Sequence, residues 1–89
     1  MSTNATIYWN PLLETLPPEN VRELVERGDI LPLQEVLNRL QPAIEGEIIE
    51  VDLDRDGERY LYRIKALGQN GRYREYRADA KTGASAGGQ

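Results

Sequence analysis

The chain of 89 residues contains no cysteine, no histidine and no phenylalanine, and it has a single tryptophan. The absence of cysteine excludes disulfide bonds and a thiol nucleophile, and the additional absence of histidine excludes zinc sites of the usual kind. A Ser–His–Asp triad cannot be built without histidine. The sequence therefore lacks the residues on which the commonest hydrolytic and zinc-dependent sites depend.

Positive charge is also in short supply, because 11 lysines and arginines stand against 15 aspartates and glutamates, a formal net charge of −4. Nucleic acids and anionic membrane surfaces are bound by basic faces, so neither is expected as a main partner. A local basic stripe stays open as an alternative near the C-terminus, at Arg72, Arg74, Arg77 and Lys81. No apolar run reaches transmembrane length and no signal peptide is recognisable, so membrane insertion is not expected.

Length and composition indicate one domain with a modest core, since 39% of the residues are hydrophobic and 29% are charged. Two prolines separate an N-terminal segment, residues 1–17, from the domain proper, residues 18–83. Within that segment, residues 6–9 are compatible with a short strand. Residues 84–89 have nothing to bury, so we expect them to form a flexible tail.

Two short helices are predicted before residue 43. Pro18 suits a first helical position and Gly28 suits the position after the last turn. The second helix covers residues 32–41 and ends at Pro42. Apolar residues at helical spacing are typical of helices packed on a sheet. They are Val21, Leu24 and Val25 in the first helix, and Leu33, Val36, Leu37 and Leu40 in the second.

The run DLDRDG at residues 52–57 resembles the start of an EF-hand calcium loop. Such a loop needs a bidentate carboxylate at its twelfth position, which counted from Asp52 is Arg63. It also needs helices on both sides, whereas both flanks here show the alternation of strands. The sequence therefore argues against calcium, and no other metal or cofactor site is predicted.

A hairpin explains the same residues, with Asp56-Gly57 as a two-residue type I′ turn. That turn predicts a register that sets Leu53 opposite Tyr60 and Asp54 opposite Arg59. The register also sets Val51 opposite Tyr62, Ile49 opposite Ile64, Arg55 opposite Glu58 and Glu50 opposite Arg63. Apolar residues would then meet apolar residues, and opposite charges would meet across the strands.

The next connection requires a three-residue loop, residues 69–71, with Gly71 in the left-handed region. This loop predicts that Ile64 faces Tyr76, that Tyr62 faces Ala78 and that Lys65 faces Glu75. The predicted fold is α+β, with the helix of residues 32–41 packed on a three-stranded antiparallel meander sheet and preceded by a short extra N-terminal helix. The helix would cover the face that carries Ile49, Val51, Tyr62, Ile64 and Tyr76.

This order of elements resembles the PepSY domain, named for peptidase propeptides and a spore-germination protein. The resemblance covers residues 28–83 and rests on ILPLQEVLNRL, GEIIEVDLDRDGERYLYRIKAL and GRYREYRADAKTG. The specific part is the closing DAKTG turn after a strand. Family members usually continue into a further apolar strand, which residues 84–89 do not resemble, so we expect the third strand to keep an open edge.

The resemblance implies a secreted, periplasmic protein of the kind often encoded beside two-component signalling systems. It also implies a peptidase inhibitor-like role or a signalling accessory role. The residues themselves argue against an enzyme. Serine and threonine lack a histidine partner, and Lys65 and Lys81 have polar neighbours, whereas a lysine nucleophile needs a desolvated environment.

Apolar residues outside the predicted core are the candidates for partner binding. Tyr8 and Trp9 are either exposed interface anchors or a plug over one end of the sheet. A second group lies on the predicted outer face of the sheet and is either a binding patch or ordinary exposed surface. It consists of Ile48, Leu61, Leu67 and Tyr73.

Two hypotheses follow. The first is a non-catalytic periplasmic PepSY-type binding module that contacts a peptidase or a sensor kinase. The alternative is a self-associating structural protein with no protease role, a homodimer formed through the open edge or by exchange of the N-terminal segment.

Overall fold

The computed structural model describes residues 13–88 of the chain. The elements are β1 (Leu13–Thr15), α1 (Pro18–Glu26), α2 (Leu33–Leu40), a single 3-10 turn (Gln41–Ala43), β2 (Glu47–Asp56), β3 (Arg59–Leu67), β4 (Tyr73–Asp79) and β5 (Ser85–Gly88). The α+β class and the helix packed on an antiparallel sheet are confirmed. Within the described part, no helix has the length and apolar character of a membrane span.

Both helices lie where the prolines and the apolar spacing predict them. Pro18 opens α1, and Gly28 follows it with a φ of +79°. The Gly28 N–H donates to the Val25 carbonyl at 3.0 Å and the Asp29 N–H to the Leu24 carbonyl at 2.9 Å. This is the Schellman pattern, which satisfies carbonyls at the helix end.

The sheet has five antiparallel strands in the order β1-β2-β3-β4-β5. The predicted β3–β4 register is confirmed, because Ile64 pairs with Tyr76, and the two further predicted pairs are also present. The Gly68 N–H donates to the Arg72 carbonyl at 2.8 Å, which closes the three-residue loop. Gly71 has the expected positive φ of +80°.

The predicted β2–β3 register is wrong by two residues. Leu53 pairs with Tyr62 instead of Tyr60, and the two-residue turn is Gly57-Glu58. Gly57 has a φ of +66°, and no non-glycine residue in the described range has a positive φ. A type I′ turn would force Asp56 into that region, whereas a type II′ turn needs only its first central residue there, which is Gly57. A shift of two residues does not by itself move a side chain to the other face of the sheet.

A bulge between Ile48 and Glu50 corrects the position of one predicted core residue. Ile49 is the unpaired extra residue and is 46% exposed. Ile48, predicted on the outer face, packs against the core instead. The extra residue shifts the alternation of side chains along β2 by one position. Residues before the bulge therefore point to the face opposite to the one predicted for them.

The strand count also differs from the prediction, because the meander is extended at both ends. The short strand compatible with residues 6–9 lies outside the described residues, and β1 pairs with the far end of β2 through Thr15 and Asp54. A flexible tail is predicted after residue 83, but β5 forms there and pairs with β4, where Ala78 lies opposite Ser85. Backbone pairing alone makes this strand, since its sequence, SAGG, has little β-propensity.

The core lies between the helices and one face of the sheet. Val36 of α2 and Ile64 of β3 are fully buried, and Tyr62 beside them is 2% exposed. The whole core cluster consists of Leu24, Ile30, Val36, Leu40, Leu53, Tyr62, Ile64, Ala78 and Ala80. Residues of both helices belong to this one cluster. Both helices therefore cover the same face of the sheet, and the other face is called the outer face.

Candidate partner-binding site

Among the described residues 13–88, no strand covers one edge of β2 over much of its length. β1 pairs only with residues 54–56, and the Leu16 N–H donates to the Leu53 carbonyl at 2.8 Å before the chain turns into α1. Between residues 47 and 52, no other described strand pairs with β2 on the side away from β3. Backbone groups alternate sides along an antiparallel strand, so Val51, like Leu53, directs its N–H and C=O toward this open side.

A groove of about 340 Å³ lies between the helices and this edge strand. Tyr62 and Leu53, both almost fully buried, form its floor. Its remaining lining residues are Leu16, Pro18, Val21, Arg22, Leu33, Val51 and Asp52. Most of these side chains are apolar and only half-buried, so the groove offers an apolar slot beside unpaired backbone groups.

The open stretch of β2 is acidic. Residues 47–52 read EIIEVD, with three carboxylates and no cation. Glu50 approaches Lys65 at 3.9 Å, but its side chain remains 52% exposed. Asp52 lies 3.4 Å from Arg63 and is 31% exposed. The edge therefore presents carboxylates that their neighbours only partly neutralise.

Asp54 is a buried carboxylate on the outer face, with a side chain that is 5% exposed. It accepts hydrogen bonds from Arg63 Nε at 2.8 Å and from Thr15 Oγ1 at 2.8 Å. The hydrogen bond to Asp54 raises the pKa of Arg63 above its ordinary value, and the charges of Asp52 and Glu75 act in the same direction against the cost of burial. Arg63, which stands where an EF-hand loop needs a carboxylate, is thus the ion-pair partner of Asp54, the middle aspartate of DLDRDG.

The DAKTG turn docks onto the second helix. Asp79 Oδ1 accepts from the Lys81 N–H at 2.8 Å, and Gly83 has a φ of +79°. Arg39 of α2 donates to the Thr82 carbonyl and lies against Gly83. The specific sequence at the end of β4 therefore fixes the helix to the β4–β5 connection.

The predicted site residues do not form one patch. Tyr8 and Trp9 lie outside the described residues, and Ile48 faces the core. Leu61 is 9% exposed and lies outside the core cluster. It is six positions along β3 from Leu67, a distance of about 20 Å in a strand.

Leu67 and Tyr73 are the two predicted site residues that the structure brings together, as a cross-strand pair. The Tyr73 side chain is 64% exposed, and the Lys65 ammonium lies 5.5 Å from its ring centre. The basic residues considered as a stripe are divided between two faces, because Arg74 pairs with Ala66 and Arg77 with Arg63. This part of the outer surface is a mixed charged face.

A larger cavity, of about 540 Å³, lies at the other end of the sheet and is lined by Glu45, Gly46, Gly68, Gln69, Asn70 and Arg74. Apart from Arg74 of β4, these described lining residues belong to loops, and none of them carries an apolar side chain to receive a ligand. The smaller groove is therefore the better candidate site. The sequence predicts the apolar helix residues and the alternating strand that line this groove. It does not predict that they lie beside an open strand edge, because that depends on where β1 ends.

Comparison with known families gives a match to more than half of the chain. The family model described as peptidase propeptide and YPEB domain, PepSY, matches residues 30–84, from the connection after α1 through α2, the three long strands and the closing turn. A search of the curated proteins gives no match, and a search of the solved structures gives none.

Proposed function

The chain belongs to the PepSY family, and from this premise we propose that it is a non-catalytic binding module that acts outside the cytoplasm by protein–protein contact. Its target would be a peptidase, which it inhibits or regulates, or the sensor of a two-component system. The observation that carries the proposal is the family match over residues 30–84, since PepSY domains are modules of the peptidase-propeptide kind. We place the protein in the periplasm because the family is extracytoplasmic.

The use of its polar groups supports a non-catalytic role. The Tyr62 hydroxyl donates to the Leu31 carbonyl at 2.8 Å, and the Thr15 hydroxyl donates to Asp54 at 2.8 Å. The most buried carboxylate, Asp54, is held by Arg63. These two hydroxyl groups and this carboxylate are thus engaged in structural hydrogen bonds.

The open edge of β2 supports a binding role. Edge strands accept extended segments of partner proteins by strand addition, where backbone hydrogen bonds give affinity and side-chain pockets give selectivity. Here the backbone groups of Val51, which no other described strand pairs on this side, lie beside an apolar groove. The chain therefore combines both elements of such a site.

The alternative of self-association through an open β4 edge loses its premise. That hypothesis assumed that no strand follows residue 83, whereas β5 pairs with β4 along Tyr76–Ala78. No other described feature favours a homodimer over a module that binds a different protein.

The proposal is tested by adding the purified chain to extracytoplasmic peptidases of the source organism and, separately, to its membrane-bound sensor kinases. We expect a saturable change in substrate hydrolysis or in kinase autophosphorylation that heat-denatured chain does not produce. If the folded chain changes neither activity at any concentration, the proposal is refuted.

A further inference from the structure

We propose that residues 47–52 of β2 are a docking strand for an extended partner segment whose side chains alternate between apolar and basic. The inference rests on the proposed function, because it specifies the surface and the partner chemistry of that binding module. It starts from the open backbone edge and from the groove that adjoins it.

The backbone sets where the partner strand lies. Val51 presents its N–H and C=O to the open side, while Leu53 already accepts from Leu16. A strand added here would lie about 4.8 Å from β2 and continue the sheet past the end of β1. Pairing would be short, because the bulge at Ile49 interrupts the ladder.

The groove explains why one face of the partner segment should be apolar. A partner side chain beside Val51 on the helix-covered face would enter the slot between Val21 and Leu33. Its neighbours on that face are half-buried hydrophobic side chains that pack against the core cluster. An aliphatic side chain there would bury apolar surface on both sides.

The charges explain why the other face should be basic. Glu50 and Asp52 point to the outer face, where the next partner side chains would lie, and Glu47 extends the acidic surface along the strand. Opposite charges facing each other across strands stabilise pairing, and like charges oppose it. Lysine or arginine at alternate positions is therefore the matching chemistry.

The same charges oppose pairing with a second copy. A two-fold antiparallel pairing centred on this stretch sets Glu47 opposite Asp52, or Glu50 opposite itself. Carboxylates would meet in either register, which is how natural edge strands avoid joining to one another. The charges thus disfavour pairing of this edge with the same edge of a second copy and favour pairing with a basic segment.

The test is an NMR titration of the isotope-labelled full chain with the capped peptide KVKVKVK at low salt. Amide shifts should concentrate in residues 47–53 and at Val21 and Leu33. A peptide with a central proline, KVKPKVK, carries the same charge but pairs poorly and should bind weakly. Absence of binding, or shifts centred elsewhere in the sheet, would overturn the docking strand.

The variant E47K/E50K provides a readout that misfolding cannot imitate. It should bind KVKVKVK about tenfold more weakly and should gain binding of EVEVEVE, because the sign of two cross-strand contacts is reversed. Equal affinity of wild type and variant for KVKVKVK would overturn the proposal, as would a wild-type dimer whose interface maps to residues 47–52. Val51→Pro is a second variant, which removes an N–H that β3 does not use.

Failure of the docking strand and failure of the proposed function are distinguishable. If E47K/E50K acts on a peptidase or sensor as well as wild type does, the docking strand is overturned and the proposed function stands. If the peptide binds the edge but the chain affects no peptidase or sensor, the docking strand stands and the proposed function is overturned.

Discussion

The Tyr62 hydroxyl donates a hydrogen bond of 2.8 Å to the backbone carbonyl of Leu31. The Leu31 N–H in turn donates to the Ala80 carbonyl at 2.7 Å, and the Ala80 N–H donates to the Tyr60 carbonyl at 2.8 Å. The central strand, the connection between the helices and the closing turn are thereby tied together. This link holds the helices over the sheet and so sets the position of the groove.

Tyr62→Phe removes that link and leaves the Leu31 carbonyl without its hydroxyl donor. We expect the free energy of unfolding to fall by about 1–2 kcal/mol, measured by urea denaturation. Tyr76→Phe is the matched control, because the Tyr76 hydroxyl accepts from the exposed Glu45 N–H at 3.1 Å. Equal losses in the two variants would contradict a special role for the Tyr62 hydroxyl.

Stability should also depend on the titration of Tyr62. Burial raises the pKa of Tyr62 above the ordinary tyrosine value of 10.0. The folded state therefore keeps this proton while the unfolded state loses it, so the stabilising contribution is complete below pH 10 and is lost as the pH rises through the folded-state pKa. Unfolding measured across this alkaline range should show a decline that is smaller in Tyr62→Phe; identical declines would contradict the prediction.

Gly46 is predicted to be the least replaceable glycine of the described chain. It has a φ of +100°, and a Cβ added there would lie 2.4 Å from the Leu67 backbone oxygen. Gly28 also has a positive φ, but a Cβ there would meet nothing within 4 Å. Gly46→Ala should therefore lower the melting temperature well beyond Gly28→Ala, which carries only the backbone strain of about 1–2 kcal/mol. Similar losses would show that the Leu67 contact yields easily.

Asp54 should stabilise the fold through Arg63 and not through a metal ion. We expect Asp54→Ala to cost about 2–3 kcal/mol, because it leaves a half-buried guanidinium without its closest hydrogen-bonded carboxylate. The more exposed Asp52, 3.4 Å from Arg63, should cost less than about 1 kcal/mol on the same substitution. Calcium or a chelator should leave the melting temperature unchanged. A rise with calcium that Asp54→Ala abolishes would contradict this account.

The sequence predicts the β3–β4 register but not the β2–β3 register, for a physical reason. Only one loop length keeps Ile64 opposite Tyr76, so the side-chain pattern decides the first case. In the second case the two registers differ by two residues and keep the same faces apolar, and both turns place Gly57 in the left-handed region. Charge pairs of about 0.2–1 kcal/mol are too weak to decide between them.

The candidate site is not predictable from local sequence patterns, because it depends on how elements distant in the sequence are placed relative to one another. Ile48 and Ile49 are both apolar, so their pattern does not reveal the bulge that buries one and exposes the other. The closing turn was recognisable from its residues, whereas β5 has no apolar alternation to predict it. The groove exists because β1 pairs only with residues 54–56 of β2, and no local pattern specifies that pairing.

The most direct test of the account is the dose–response of one target, an extracytoplasmic peptidase or sensor kinase of the source organism, to wild type and to E47K/E50K. The account predicts a saturable change of activity with wild type and about tenfold weaker potency for the variant, measured at a temperature at which both chains are fully folded. Unchanged activity of every such peptidase and sensor kinase in the presence of folded wild-type chain would contradict it.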